Sequence, residues 1–171
     1  MKDLLKKLRE EHQQILKMFD DKVDILEIVQ FVEEVHHPLE EQSLFPAVAD
    51  NTLLCKGGPL CTYFRGMELD LNPQKGPRDY LCGLYMRGFP RPRAYASFPW
   101  LTPQNPLSLP MDEHVLGHEI AEALKLLSYP KYQAEFPQAF DRLSRDYEKL
   151  LRQHIAKEDQ CLFILCESIA A

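Results

Sequence analysis

Apolar positions recur at helical spacing in four stretches of the chain, and one long stretch between them breaks the rhythm. In residues 3–20, Leu5, Leu8, Ile15, Leu16 and Phe19 share a face at about 100° per residue, with His12 in the middle of it. A second stretch opens at Asp24, where Asp24-Ile-Leu-Glu27 has the form of a capping box, and runs to about Asp50. Its first half carries Ile25, Ile28, Val29, Val32 and Val35, a stripe that extends to His36. Its second half, Leu44, Phe45 and Val48, lines up with His37 and Glu41. Pro38 sits between the halves, removes an amide and crowds the preceding turn, so a kink or bulge there could shift the facing surface by a residue. Periodicity therefore leaves His36 and His37 as alternatives.

The third stretch, residues 111–128, has an apolar arc of Leu116, Ile120, Ala121, Ala123, Leu124 and Leu127. His114 falls at the edge of that arc, and His118 lies further round with Glu122 and Lys125. The fourth, residues 137–170, has a continuous stripe of Leu143, Tyr147, Leu150, Leu151, Cys161, Leu162, Leu165 and Ile169. His154 and Glu158 lie inside it, and Asp159 is rotated away by about 100°. A carboxylate on an apolar stripe needs a partner, because an isolated buried charge is costly.

Residues 51–110 read as an insertion. From Pro46 to Pro110 there are ten prolines and six of the seven glycines, which excludes one long helix. Tyr63, Phe64, Tyr80, Tyr85, Phe89, Tyr95, Phe98 and Trp100 also lie there, and so many aromatics argue against a disordered linker. The expectation is an ordered, irregular excursion packed on the helices, with a short helix around residues 61–69. The fold class is all-α, an up-and-down four-helix bundle, and residues 1–171 form a single domain.

Composition narrows the function by exclusion. The net charge of -6, with no dominant Lys/Arg cluster, argues against a nucleic-acid surface. No run of about 18 apolar residues predicts a membrane span, and Met1-Lys-Asp-Leu-Leu-Lys-Lys7 is amphipathic rather than a secretory signal. A cytoplasmic location is the default expectation. The five cysteines, Cys55, Cys61, Cys82, Cys161 and Cys166, form no Cys-x-x-Cys pair and read as reduced thiols, with a labile Cys55–Cys61 bridge as the alternative.

The chemistry-bearing pattern is a near repeat. His37-Pro-Leu-Glu-Glu41 and His154-Ile-Ala-Lys-Glu158 each place a carboxylate one helical turn after a histidine, and each is followed by Leu-Phe. With His12 and His114, each predicted helix then carries a histidine on or near its apolar side, as a metal site inside a bundle requires. Imidazole suits iron, zinc and copper, and carboxylates bridging two ions suit iron or manganese. The Glu-x-x-His pairs of ferritin-like sites occur here only as Glu33/His36 or Glu34/His37, with no second copy. A histidine-rich pair is better suited to reversible small-molecule binding or one-electron chemistry than to oxidising hydrocarbons.

These residues resemble the hemerythrin/HHE cation-binding family. The resemblance rests on His12, the segment from His37 to Pro46, Glu113-His114, and the segment from His154 to Phe163; Gly57-Gly58-Pro59 adds to it. It implies a non-haem di-iron centre of two iron ions with an oxo or hydroxo bridge, held by His12, His37, Glu41, His114, His154 and a carboxylate of the fourth helix. The family spacing selects His37 with Glu41. It offers either Glu158 or Asp159 on the fourth helix, and the helical wheel favours Glu158. His118 matches the His-x-x-x-His of oxygen carriers, and its occupancy decides how many coordination positions stay open. The implied function is binding of O2 or a related small ligand for storage, carriage or sensing. Alternatives are a di-iron peroxidase or nitric-oxide-detoxifying enzyme, and an iron or redox sensor acting through the insertion. Whether the protein is an enzyme stays open at this point, and no nucleic-acid or membrane partner is expected.

Overall fold

The computed structural model describes residues 1–55 and 75–169, apart from the side chains of Leu53 and Cys55, and among them every regular element is helical. The helix expected around residues 61–69 and the Cys55–Cys61 alternative lie outside the described residues. The elements are α1 (Lys2–Asp20), α2 (Ile25–Phe31), π1 (Val32–His36), α3 (His37–Leu39), π2 (Glu40–Leu44), α4 (Phe45–Val48) and α5 (Thr52–Cys55). They continue with α6 (Lys75–Met86), α7 (Ser108–Leu127), α8 (Pro130–Glu135), α9 (Ala139–Lys157), π3 (Glu158–Leu162) and α10 (Phe163–Ile169). No described helix is long and apolar enough to cross a membrane.

From α2 to α4 the chain is one helical run, 25–48, containing two wide turns; from α9 to α10 it is another, 139–169, containing one. Asp24 caps the first run, its side chain accepting from the Leu26 amide at 2.8 Å. The wide turns close through amide-to-carbonyl bonds of five-residue span: His37 to Val32, Phe45 to Glu40 and Phe163 to Glu158. Two of the three have a sequence cause. Pro38 and Pro46 directly follow the closing residues, and a proline ring crowds the carbonyl four residues back, so widening the turn lets the helix continue. Nothing in the sequence of π3 provides a comparable reason.

Within the proline-rich stretch, α6 is a regular helix of 12 residues. Pro77 lies in its first turn, where the missing amide costs nothing, and no further proline occurs until Pro90. Gly88, at φ 92°, ends it in the left-handed conformation, while the Phe89 amide bonds back to the Leu84 carbonyl at 3.0 Å.

Side-chain packing produces two apolar clusters. One contains Ile15, Phe19, Ile28, Val32, Leu84, Leu116, Ile120, Leu124, Leu143, Tyr147, Leu151 and Ile155. The other contains Leu5, Leu8, Leu44, Phe45, Val48, Met111, Leu162, Phe163 and Leu165. The runs 2–20, 25–48, 108–127 and 139–169 each contribute to both. Where each run passes from one cluster to the other it buries polar side chains: Glu11 and His12; His36, His37, Glu40 and Glu41; Glu113 and His114; His154 and Glu158. The fold thus holds a polar layer between two oily ones. Tyr95, Phe98, Trp100 and Leu101 of the irregular segment cover the second cluster, and Asn105 ties that segment to the 25–48 run by donating to the Ala49 carbonyl at 2.9 Å.

Candidate metal centre

Five imidazoles and two carboxylates converge in the polar layer. Nε2 of His12 lies 3.1 Å from Nε2 of His36, and the His114 and His154 pair repeats that distance. Glu158 Oε2 stands between the pairs, 3.3 Å from His12 Nε2 and 3.2 Å from His154 Nε2. Glu40 Oε2 also stands between the pairs, 3.6 Å from His36 Nε2 and 3.3 Å from His114 Nε2. The His37 ring stacks on His114 at 3.8 Å between centroids. Donor atoms close enough to hold one ion group as His12, His36, Glu40 and Glu158, as Glu40, His114, His154 and Glu158, and as His37, His114 and His154. Both carboxylates belong to more than one group, so each could be shared between two ions.

A second set of acids holds the outward nitrogens. The Nδ1 atoms of His12, His36, His114 and His154 bond to Asp159 (2.8 Å), Glu11 (3.1 Å), Glu41 (2.7 Å) and Glu113 (2.8 Å). His37 Nδ1 faces Glu33 of its own run at 3.6 Å. A carboxylate at Nδ1 keeps the proton there and leaves the Nε2 lone pair free. The Nε2 atoms of those four rings then face the centre, open to a metal ion once any proton on them leaves.

The arrangement is a closed circuit with a simple sequence logic. Run 2–20 sends Glu11 to His36, run 25–48 sends Glu41 to His114, run 108–127 sends Glu113 to His154, and run 139–169 sends Asp159 to His12. On each run the outgoing acid directly adjoins an inward-facing residue: Glu11 and His12, Glu41 and Glu40, Glu113 and His114, Asp159 and Glu158. One residue is about 100° of helix, so a neighbour of an inward side chain points sideways, at the adjoining run.

Charge is concentrated here. Glu40 and Glu158 are buried, and none of their four oxygens has an aligned hydrogen-bond donor. Despite burial, the surrounding imidazoles of His36, His114 and His12 hold Glu40 well below the usual carboxylate range. Burial and the Glu40 charge push Glu158 up, yet His154 and His12 bring it to about 2. Burial lowers His12, but Asp159, Glu158 and Glu40 outweigh it and hold the imidazole up at about 11. His37, buried beside the His114 charge, is pushed down to about 3. Two anions among imidazoles recruit protons when no other cation is present, and a metal ion would replace those protons.

Of the residues singled out from sequence, His12, His37, His114, His154 and Glu158 lie in the convergence. Glu41, Asp159 and His118 lie outside it: Glu41 and Asp159 hold His114 and His12, and His118 bonds Glu33 at 2.6 Å. The carboxylate the structure places inward on the 25–48 run is Glu40, and His36 and His37 both point inward. The width of π1 and π2 is the physical reason, since a straight helix separates neighbours by about 100°. Sequence reasoning passed over Glu11, Glu33, Glu113 and Tyr95 as supporting residues, although acidic neighbours of inward positions are a readable signal for two of them. Outside the circuit, Arg9 pairs with Asp159 at 3.4 Å, Lys7 stands 3.8 Å from Glu11, Lys157 pairs with Glu113, and the Tyr95 hydroxyl donates to Glu41. No known protein family, curated protein or solved structure matches the chain.

Proposed function

We propose that the chain is a non-haem dinuclear metal protein, an up-and-down four-helix bundle of hemerythrin type that holds two iron ions and binds O2 or a related small ligand. The observation that carries this reading is the pair of buried carboxylates without aligned donors, Glu40 and Glu158, facing imidazoles whose Nδ1 atoms point outward to acids. A purely structural network would give each buried oxygen an N–H. Here the Nδ1–H donors point outward, the Nε2 atoms stand 3.2–3.6 Å from the carboxylates without an aligned bond, and two cations fit the atoms between.

His12 and His36 would hold one ion, His37, His114 and His154 the other, with Glu40 and Glu158 shared. Five nitrogens with two carboxylates suit iron. When bound, an iron pair supplies a redox-active centre for a small diatomic or peroxide ligand. The chain's own residues orient the imidazoles, turn their inner nitrogens toward the ions and hold the site between two apolar clusters. The His12/His36 half has fewer nitrogen donors, so an added ligand finds its room there, beside the Phe163 ring stacked on His12 at 5.1 Å. His118, bonded to Glu33, leaves the donor count of the other half at three imidazoles.

Chelator-stripped protein titrated anaerobically with Fe2+ and then exposed to O2 tests the reading. It predicts two equivalents per chain and an optical spectrum that reverses on degassing. Failure to take up two ions would refute it, and sustained turnover of H2O2 or nitric oxide would move it to the enzyme alternative. The hydrogen bond from Tyr95 to Glu41 favours sensing as a second reading, because it links the irregular segment to the site. Sensing predicts that metal loading changes proteolysis between residues 87 and 107.

A further inference from the structure

We propose that Tyr95 is a positioning residue of the metal site: it shares Glu41 Oε1 with the Nδ1–H of His114 and so limits how hard that carboxylate draws on the imidazole. The inference rests on the dinuclear reading and adds to it a residue from the irregular segment. Both donors meet on the same oxygen, the His114 nitrogen at 2.7 Å and the Tyr95 hydroxyl in a shorter contact.

Glu41 differs from the other acids of the circuit. Lys7, Arg9 and Lys157 stand at Glu11, Asp159 and Glu113, so each of those three has a lysine or arginine beside it. Among the described residues Glu41 meets only an imidazole and a phenol at such distances. An unshared carboxylate at Nδ1 gives the imidazole the most anionic character, and a second donor on the same oxygen reduces it. Burial and the bond to Glu41 both push the Tyr95 hydroxyl above its ordinary range, so it stays protonated and donating. The ring is fixed from the sides: it lies 4.9 Å from His118 and 6.2 Å from Phe98, Phe98 meets Trp100 at 5.5 Å, and Trp100 meets Phe45 at 6.0 Å. Tyr95 also sits over the second relay of the same half, in which His118 bonds Glu33 and Glu33 faces His37.

Tyr95→Phe keeps the ring and removes the donor. In full-length protein loaded with Zn2+ and labelled at histidine nitrogen, the His114 Nδ1–H resonance should move downfield. The Nδ1–H resonances of His12, His36 and His154 should hold. Titration with Co2+ should show one of two binding steps tightened, by about two- to tenfold, part of the strength of one hydrogen bond to a carboxylate, and the other step unchanged. In a Glu41→Gln background, Tyr95→Phe should have no further effect on either readout. A stationary or upfield His114 resonance, or an effect of Tyr95→Phe that persists without the Glu41 carboxylate, would overturn the proposal while leaving two-ion binding intact. Wild-type protein that takes up no Zn2+ or Co2+ would overturn the dinuclear reading and this proposal together.

Discussion

Replacing Glu113 with Gln isolates what the outer acids contribute. Glu113 is buried, accepts from His154 Nδ1 at 2.8 Å and also meets Lys157, whose ammonium burial pushes down to about 8. An amide can present its NH2 to the ring as readily as its oxygen, so His154 loses the acceptor that holds its inner lone pair free. Loss of such an acceptor weakens metal binding by about 10–100-fold. With metal at about 100 times the wild-type Kd, binding stabilises the fold by about 2.7 kcal/mol, which falls to about 1.4 or 0.4 kcal/mol in the variant. At about 2–4 °C per kcal/mol for a chain of 171 residues, the metal-dependent rise in Tm should shrink by about 3–9 °C. The assay is thermal unfolding of each protein with chelator and with Zn2+, each variant compared with itself so that its own change in metal-free stability cancels. Glu122→Gln, which removes only an exposed pair with Lys125, serves as the control and should behave as wild type. If Glu113→Gln keeps the full metal-dependent rise, the outer carboxylates do not set the imidazoles, and the argument from their geometry falls.

His36→Ala and Glu40→Ala should each lower metal content below two ions per chain, whereas His118→Ala should retain two; elemental analysis after gel filtration decides this. Gly117→Ala should fit, since an added Cβ would meet His37, Leu150 and Tyr147 at 3.8–3.9 Å, and it should stabilise the helix by up to about 1 kcal/mol without changing the metal count. Denaturant melts with metal analysis would contradict this if stability fell. Burial holds the Cys166 thiol up at about 12, so the thiolate is scarce below that pH. Iodoacetamide at pH 8 should therefore modify exposed Cys82 and spare Cys166 until the protein is unfolded, as peptide mass mapping would show.

The helices were legible because an apolar stripe at a period of 3.6 leaves little choice, and His12, His154 and Glu158 were legible because they interrupt such stripes. The exposed-side placement of His118 was visible in the same way, from its neighbours Glu122 and Lys125 on the wheel. The 25–48 run resisted for a definite reason. A wheel assumes constant rotation per residue, and the wide turns at 32–36 and 40–44 break that assumption, so His36, His37 and Glu40 all reach the centre. Pro38 hinted at the first irregularity, and Pro46 follows the second. The apolar stripe of the second half and the family spacing both led instead to Glu41, which the structure places on the His114 nitrogen. Tyr95 was beyond sequence reasoning altogether, because its approach depends on how residues 89–98, without regular structure, cross the second apolar cluster.

The central claim is that two cations sit between Glu40 and Glu158 with imidazoles on either side. Crystals of iron-loaded protein measured at the iron absorption edge test it directly through anomalous scattering. The account predicts two peaks about 3.5–4 Å apart, flanked by His12 and His36 on one side and by His37, His114 and His154 on the other. A single peak elsewhere on the surface, or none in the layer between the two apolar clusters, would contradict it.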